Sequence, residues 1–155
     1  MLRIFKQKPF PFSMLVLVVL VILHLVGSYF SLYWALSWFD VLVHLVSGLW
    51  VALLILWLAS VLGQINSLKE YKIKGFLIAL LSAVFVGIVW EILENLTQIT
   101  FTKSAGYNLN TALDIFNDGL GGILAYLYFV RRKRKVSGGD EVMHPFYNQT
   151  GIIKD

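Results

Sequence analysis

The residues of this sequence best suited to chemistry are acids and histidines placed inside apolar stretches. Five of the nine acidic residues lie there: Asp40, Glu91, Glu94, Asp114 and Asp118. Two of the histidines, His24 and His44, lie in apolar stretches as well. An ionised side chain in the middle of a membrane costs about 2.5–3.5 kcal/mol or more, so such residues usually belong to a functional site. Carboxylates and imidazoles are also ligands of divalent metals.

The spacing of these residues predicts that each pair shares one face of a helix. The pairs are Asp40 with His44, Glu91 with Glu94, and Asp114 with Asp118. Residues three or four positions apart lie on the same helix face. In a helical bundle these faces must point inward, because exposure of carboxylates to lipid is too costly. No Lys or Arg lies within the apolar stretches, so protons or a cation must neutralise the cluster.

A divalent metal site is the favoured interpretation of this cluster. Its predicted ligands are Asp40, His44, Glu91, Glu94, Asp114 and Asp118. The ligand set suits Zn, Mn, Fe or Mg and does not select among them. A metal-activated water would be the nucleophile, with Glu91 or Glu94 as general base. His24, Asn95 and Asn117 are predicted to support the ligands from a second layer. The alternative is that protonated carboxylates hydrogen-bond the helices together.

Four apolar segments must position these residues. They are Pro11–Tyr29, Trp38–Gly63, Gly75–Gln98 and Thr111–Val130. Each has about 20 residues or more and can cross ~30 Å at about 1.5 Å per residue. With 58% hydrophobic and 14% charged residues, the composition is that of a membrane protein. We therefore predict an all-α fold, a polytopic bundle of four transmembrane helices over residues 1–135, followed by a flexible cytoplasmic tail over residues 136–155.

The basic residues predict the orientation of the bundle. Lys and Arg flank the first segment on its N-terminal side, lie in the second connection, and follow the last segment, whereas the opposite side carries only Lys103. Positive residues mark the cytoplasmic side, so both termini are predicted to be cytoplasmic. At about 1.5 Å per residue, the acids and histidines then lie within roughly 3–10 Å of the outer boundary. The basic residues belong to helix ends, which excludes a nucleic-acid partner.

Three short polar signatures carry a family resemblance. They are Phe39-Asp-Val-Leu-Val-His-Leu-Val-Ser-Gly48, Trp90-Glu-Ile-Leu-Glu-Asn95 and Leu113-Asp-Ile-Phe-Asn-Asp-Gly-Leu-Gly-Gly122. In order and spacing they resemble the signatures of the VanZ-like and YjdF-like small bacterial membrane proteins, and the second is closer to the YjdF-like form. The resemblance implies a multi-pass protein of the bacterial cytoplasmic (inner) membrane, in some relatives linked to glycopeptide resistance.

Three classes of function remain open at this point. The first is a metal-dependent membrane hydrolase or transferase that acts on a lipid or lipid-linked substrate at the outer leaflet. The second is a proton or cation carrier, which the polar cup at only one end of the bundle disfavours. The third is a non-catalytic protein that binds an amphiphile or a partner protein. Membrane lipids are expected partners in each case, and the oligomeric state is left open.

Overall fold

The computed structural model describes residues 9–65, 71–97 and 107–143, and every regular element in these ranges is helical. The four long helices are α1 (Pro9–Tyr29), α2 (Ser37–Val61), α3 (Phe76–Thr97) and α4 (Tyr107–Met143). A one-turn helix, Leu32–Ala35, joins α1 to α2, and a π-helical turn, Tyr71–Gly75, leads into α3. The predicted all-α class is therefore confirmed.

Two residues with positive φ mark where α1 gives way to the one-turn helix and where α2 ends. Ser31 has φ 56° and separates α1 from the one-turn helix. Gly63 has φ 69° and follows α2, where glycine adopts the left-handed conformation without a Cβ penalty. The amide of Gln64 bonds the carbonyl of Ala59, and the amide of Gly63 bonds that of Ser60. These bonds form a Schellman motif, which satisfies carbonyls that the helix end would leave unpaired.

Within the part of the chain that the structure describes, three helices are long and apolar enough to cross a membrane, namely those spanning Phe10–Tyr29, Trp38–Val61 and Lys72–Thr97. They agree with the first three predicted segments to within a few residues. The fourth predicted segment lies inside α4, which is less apolar on average because of its acids, amides and charged C-terminal part. The helix also continues beyond Val130 to Met143, so the predicted tail begins as helix, and residues 144–155 lie outside the described residues.

Helix α2 lies at the centre of the bundle and packs against the other three long helices. The core is built largely of small and branched residues without solvent exposure, among them Ala52, Leu53, Leu56, Ala79 and Ala83. Small residues permit close approach of helix backbones, which is how helices associate in membranes. This core fills the half of the bundle that contains the C-terminal part of α2. The polar residues lie toward the opposite end.

Two glycines allow α4 to approach its neighbours at the polar end. A Cβ at Gly48 of α2 would overlap the backbone carbonyl of Asp118, and a Cβ at Gly87 of α3 would overlap the carboxylate of Asp118. One turn further along α4, a Cβ at Gly122 would lie 2.7 Å from the carbonyl oxygen of Ala79 on α3. Asp118 is thus held in a slot that only glycine leaves open on both sides.

We expect Gly48→Ala to lower the free energy of unfolding in detergent by about 1–2 kcal/mol. Overpacking costs about 1–3 kcal/mol, and the gain in helix propensity offsets up to about 1 kcal/mol of it. Gly119→Ala is the matched control, because its Cβ would meet Leu80 and Val84 at an ordinary 3.5 Å. This variant should be neutral or slightly stabilised. Equal unfolding midpoints for the two variants would contradict the close α2–α4 contact.

Candidate functional site

His44 is the centre of the polar cluster. It lies on α2, its side chain is 3% exposed, and its Nδ1 lies 2.8 Å from Oδ2 of Asp118 on α4. The hydroxyl of Ser47, one turn further along α2, donates to the other carboxylate oxygen of Asp118 at 2.6 Å. Asp118, itself 1% exposed, therefore receives partners on both oxygens. This arrangement fixes the imidazole ring and favours a proton on Nδ1.

The other ring nitrogen of His44 faces acidic oxygens. Its Nε2 lies 3.7 Å from Oδ1 of Asp40 and 3.9 Å from Oε1 of Glu91. Asp40, His44 and Asp114 each offer a ligand atom, and the three atoms lie within 4.8 Å of one another. Helices α2 and α4 therefore bring three of the predicted ligands together, Asp40, His44 and Asp114, and α3 adds Glu91 beside Nε2 of His44.

Two carboxylate oxygens at this point are buried without a hydrogen-bond partner. They are Oε1 of Glu91 and Oδ1 of Asp114, on residues that are 6% and 1% exposed. The second oxygen of each carboxylate is occupied: Thr111 donates to Oε2 of Glu91 at 2.7 Å, and Asn110 donates to Oδ2 of Asp114 at 2.7 Å. Both groups are thus held by one oxygen, and the other oxygen is buried without a donor.

Glu94 lies at the edge of the cluster and is half-buried. Its Oε1 accepts a hydrogen bond from Nε1 of Trp90 at 2.8 Å, one turn earlier on α3. Tyr33, on the one-turn helix between α1 and α2, lies near this edge. Burial, and then the negative charges of Asp40 and Glu94, raise the pKa of Tyr33 to about 12. The one-turn helix therefore presents a neutral phenol beside the acids at neutral pH.

Comparison with known proteins gives one match. Residues 2–135 match the family described as "Predicted membrane protein (DUF2238)", which covers more than half of the chain and every residue of the cluster. The chain belongs to this family. Together with the three spanning helices, membership shows that the protein is a membrane protein. No curated protein and no solved structure matches this DUF2238 chain.

The remaining predicted site residues of this DUF2238 protein lie away from the point around which the acids converge. His24 is on α1 and is exposed, and its Nδ1 is 2.9 Å from the hydroxyl of Tyr33. Asn95 is exposed, and the amide of Asn117 donates to the carbonyl of Leu113 on its own helix at 2.7 Å. The two amides are therefore not directed at the predicted ligands. The contact of His24 is with Tyr33, at the edge of the cluster.

Sequence analysis missed three polar residues that hold the acids of the DUF2238 cluster. They are Ser47, Asn110 and Thr111, which contact Asp118, Asp114 and Glu91. Two of them carried a local signal, because Ser47 follows His44 by three positions and Asn110 precedes Asp114 by four, which places each pair on one helix face. Thr111 carried none, since its bond to Glu91 joins two different helices.

Proposed function

We propose that the cluster binds one divalent metal ion and that the protein is a metal-dependent membrane enzyme acting on a lipid or lipid-linked substrate. The observation that carries the metal proposal is the pair of buried carboxylate oxygens without donors, on Glu91 and Asp114. An unpaired buried acceptor is costly, and native structures rarely retain one without a water, an ion or a role to explain it. Two such oxygens beside His44 favour an ion.

The distances favour a metal over a shared proton. With its proton on Nδ1, His44 directs the lone pair of Nε2 toward Asp40 and Glu91, at 3.7 and 3.9 Å. These separations exceed the N–H···O range of about 2.7–3.2 Å, so a proton on Nε2 would not bridge them well. Metal bonds of about 2.0–2.2 Å allow two ligands to lie up to about 4.2 Å apart, so the Asp40, His44 and Asp114 atoms, which lie within 4.8 Å of one another, would close by about 0.6 Å on binding. A metal ion therefore suits the gap that a proton does not.

The ligands we propose are Nε2 of His44 and one oxygen each of Asp40, Glu91 and Asp114. Asp118 takes a different role, because both its oxygens are engaged by His44 and Ser47. A carboxylate behind a metal-bound histidine fixes the ring and increases its basicity. Their spacing alone predicts Asp118 and Glu94 as metal ligands, whereas the contacts favour an orienting role for the first and a peripheral role for the second.

Glu94 is the candidate general base. It is half-buried at the edge of the cluster, where Trp90 orients it and where a substrate can approach. A bound divalent ion would polarise an ester carbonyl or phosphoryl oxygen of the substrate. Glu94 would take the proton from the attacking water and return it to the departing oxygen when the ester bond breaks, so that hydrolysis yields an alcohol and an acid. Glu91 is less suited to this role, because its free oxygen faces the ligands.

The location of the site supports a lipid substrate over transport. Asp114 and Asp118 lower the mean hydropathy of α4, but both are buried against the bundle and not exposed to lipid. α4 can therefore form a fourth span in spite of these charges. The distribution of basic residues supports a topology with both termini in the cytoplasm, which would put the cluster in the outer half of a bacterial inner membrane. The core toward the other side is apolar, with Leu53, Leu56 and Phe129 buried. A carrier would need polar groups along that path.

Catalysis can be tested with the single variant Glu94→Gln. Metal-loaded wild-type protein in vesicles made from a bacterial lipid extract should convert one lipid class over time, followed by mass spectrometry. Glu94→Gln should retain the metal and lower the rate by about 10²–10⁴-fold, the usual contribution of a general base. Metal-loaded wild-type protein that converts no lipid, or a variant as fast as wild type, would contradict the enzyme and favour a binding role.

A further inference from the structure

An apolar crevice of about 300 Å³ adjoins the cluster. Its floor is α2, including His44, Ser47 and Val51, and its two walls are faces of α1 and α3. The floor is buried at His44 and Val51, which are 3% and 7% exposed, and half-buried at its other residues. The walls are exposed, with Val21 of α1 at 47% and Val86 of α3 at 37%. The crevice is therefore open sideways between α1 and α3, in the direction where membrane lipids lie.

The crevice has a polar end and an apolar end. α1 and α3 run in one direction and α2 in the other, so the residues on all three can be ordered along one axis. His24, His44 and Trp90 lie toward one end, and Leu20, Val51 and Trp50 lie toward the other. From His44 to Val51 the floor extends about 10 Å at about 1.5 Å per residue. This polarity matches a molecule with a polar head and a hydrocarbon chain.

We propose that the crevice binds one hydrocarbon chain of a membrane amphiphile, which enters between α1 and α3, with its oxygen-bearing head at the His24 and His44 end. The chain contacts the apolar floor and walls. The head reaches His44 and the candidate ion, a part of the inference that rests on the proposed function. His24, held by the hydroxyl of Tyr33 at 2.9 Å, contacts the head from the α1 side. The substrate would then be a lipid with acyl or prenyl chains, one of which occupies the crevice.

Photocrosslinking in vesicles tests this inference without requiring turnover. The probe is a phosphatidylcholine with a diazirine midway along one acyl chain, diluted into vesicles of unlabelled phosphatidylcholine. We expect label on the buried floor around Val51, detected by peptide mass spectrometry. Val21→Trp and Val86→Trp fill the crevice from either wall and should lower floor labelling by about tenfold or more, which corresponds to at least about 1.4 kcal/mol of binding free energy.

The matched controls are valines on the same helices outside the crevice. Val19→Trp pairs with Val21→Trp, at 43% and 47% exposure, and Val89→Trp pairs with Val86→Trp, at 39% and 37%. Both controls should label the floor as wild type does. Label confined to outward-facing residues, or equal labelling in crevice and control variants, would overturn the inference. Floor labelling that persists in metal-free Asp114→Asn would support the crevice even if the metal proposal fails. Metal binding without floor labelling would overturn the crevice and leave the metal proposal standing.

Discussion

Replacement of His44 with alanine is expected to lower the affinity for divalent metal by more than about 100-fold, whereas His24→Ala should stay within about tenfold of wild type. Changes behind a ligand typically cost about 10–100-fold, so loss of a ligand should exceed that range. His44 provides the nitrogen that faces Asp40 and Glu91, whereas His24 lies on the crevice wall with its Nδ1 2.9 Å from the hydroxyl of Tyr33. Competition titration against a chromogenic chelator, on protein purified in detergent, measures both affinities.

The two histidine variants serve as controls for each other. Both remove an imidazole from a long helix, so a general effect on insertion or folding should appear in both, and size-exclusion profiles check this. The opposite ranking, with His24→Ala the weaker binder, would mean that α1 contributes to the site in place of α2. Equal, unchanged affinities would show that neither ring binds the metal.

Addition of a chelator is expected to destabilise the wild-type protein and to leave Asp114→Asn unaffected. A metal present at 100 to 1,000 times its dissociation constant adds about 2.7–4.1 kcal/mol to the free energy of unfolding. Asp114 is 1% exposed, and its Oδ1 lacks a hydrogen-bond partner. Without metal, the variant should be the more stable of the two proteins, because a neutral amide costs less to bury than a carboxylate. Unfolding in detergent with and without chelator measures both effects.

Asp140→Asn provides the matched control for this comparison. It makes the same change on the same helix, about 39 Å further along α4 at about 1.5 Å per residue. It should respond to the chelator as wild type does. If protonated carboxylates merely hydrogen-bond the helices together, the chelator should have no effect on any of the three proteins. That outcome would favour the purely structural interpretation of the cluster.

The helices were largely predictable from the sequence, and their ends less so. Long apolar runs with few polar residues define α1, α2 and α3, because an apolar segment of about 20 residues has few alternatives to a spanning helix. The helix that contains the fourth segment extends beyond it, since the apolar pattern stops at Val130 whereas α4 continues to Met143. Arg and Lys are good helix formers, so the end of the apolar pattern does not end the helix. The positive φ of Ser31 had no signal in the sequence.

The site was predictable along each helix but not across helices. Spacing put His44 and Asp40 on one face, and the structure keeps them together, with Nε2 and Oδ1 3.7 Å apart. Spacing does not show which neighbour a face meets, so the bond between His44 and Asp118 and the bond between Thr111 and Glu91 required the packed bundle. Depth alone also placed His24 with the acids, because depth says nothing about the direction in which a side chain points.

The metal content of the purified protein tests the central claim most directly. Wild-type protein and Asp114→Asn, purified in detergent without added metal or chelator, would be compared by elemental analysis against protein concentration. We predict about one divalent ion per chain in the wild type, drawn from Zn, Mn, Fe and Mg, and little in the variant. Wild-type protein that is folded, carries no divalent metal and takes up none when Zn, Mn, Fe or Mg is supplied would contradict the account.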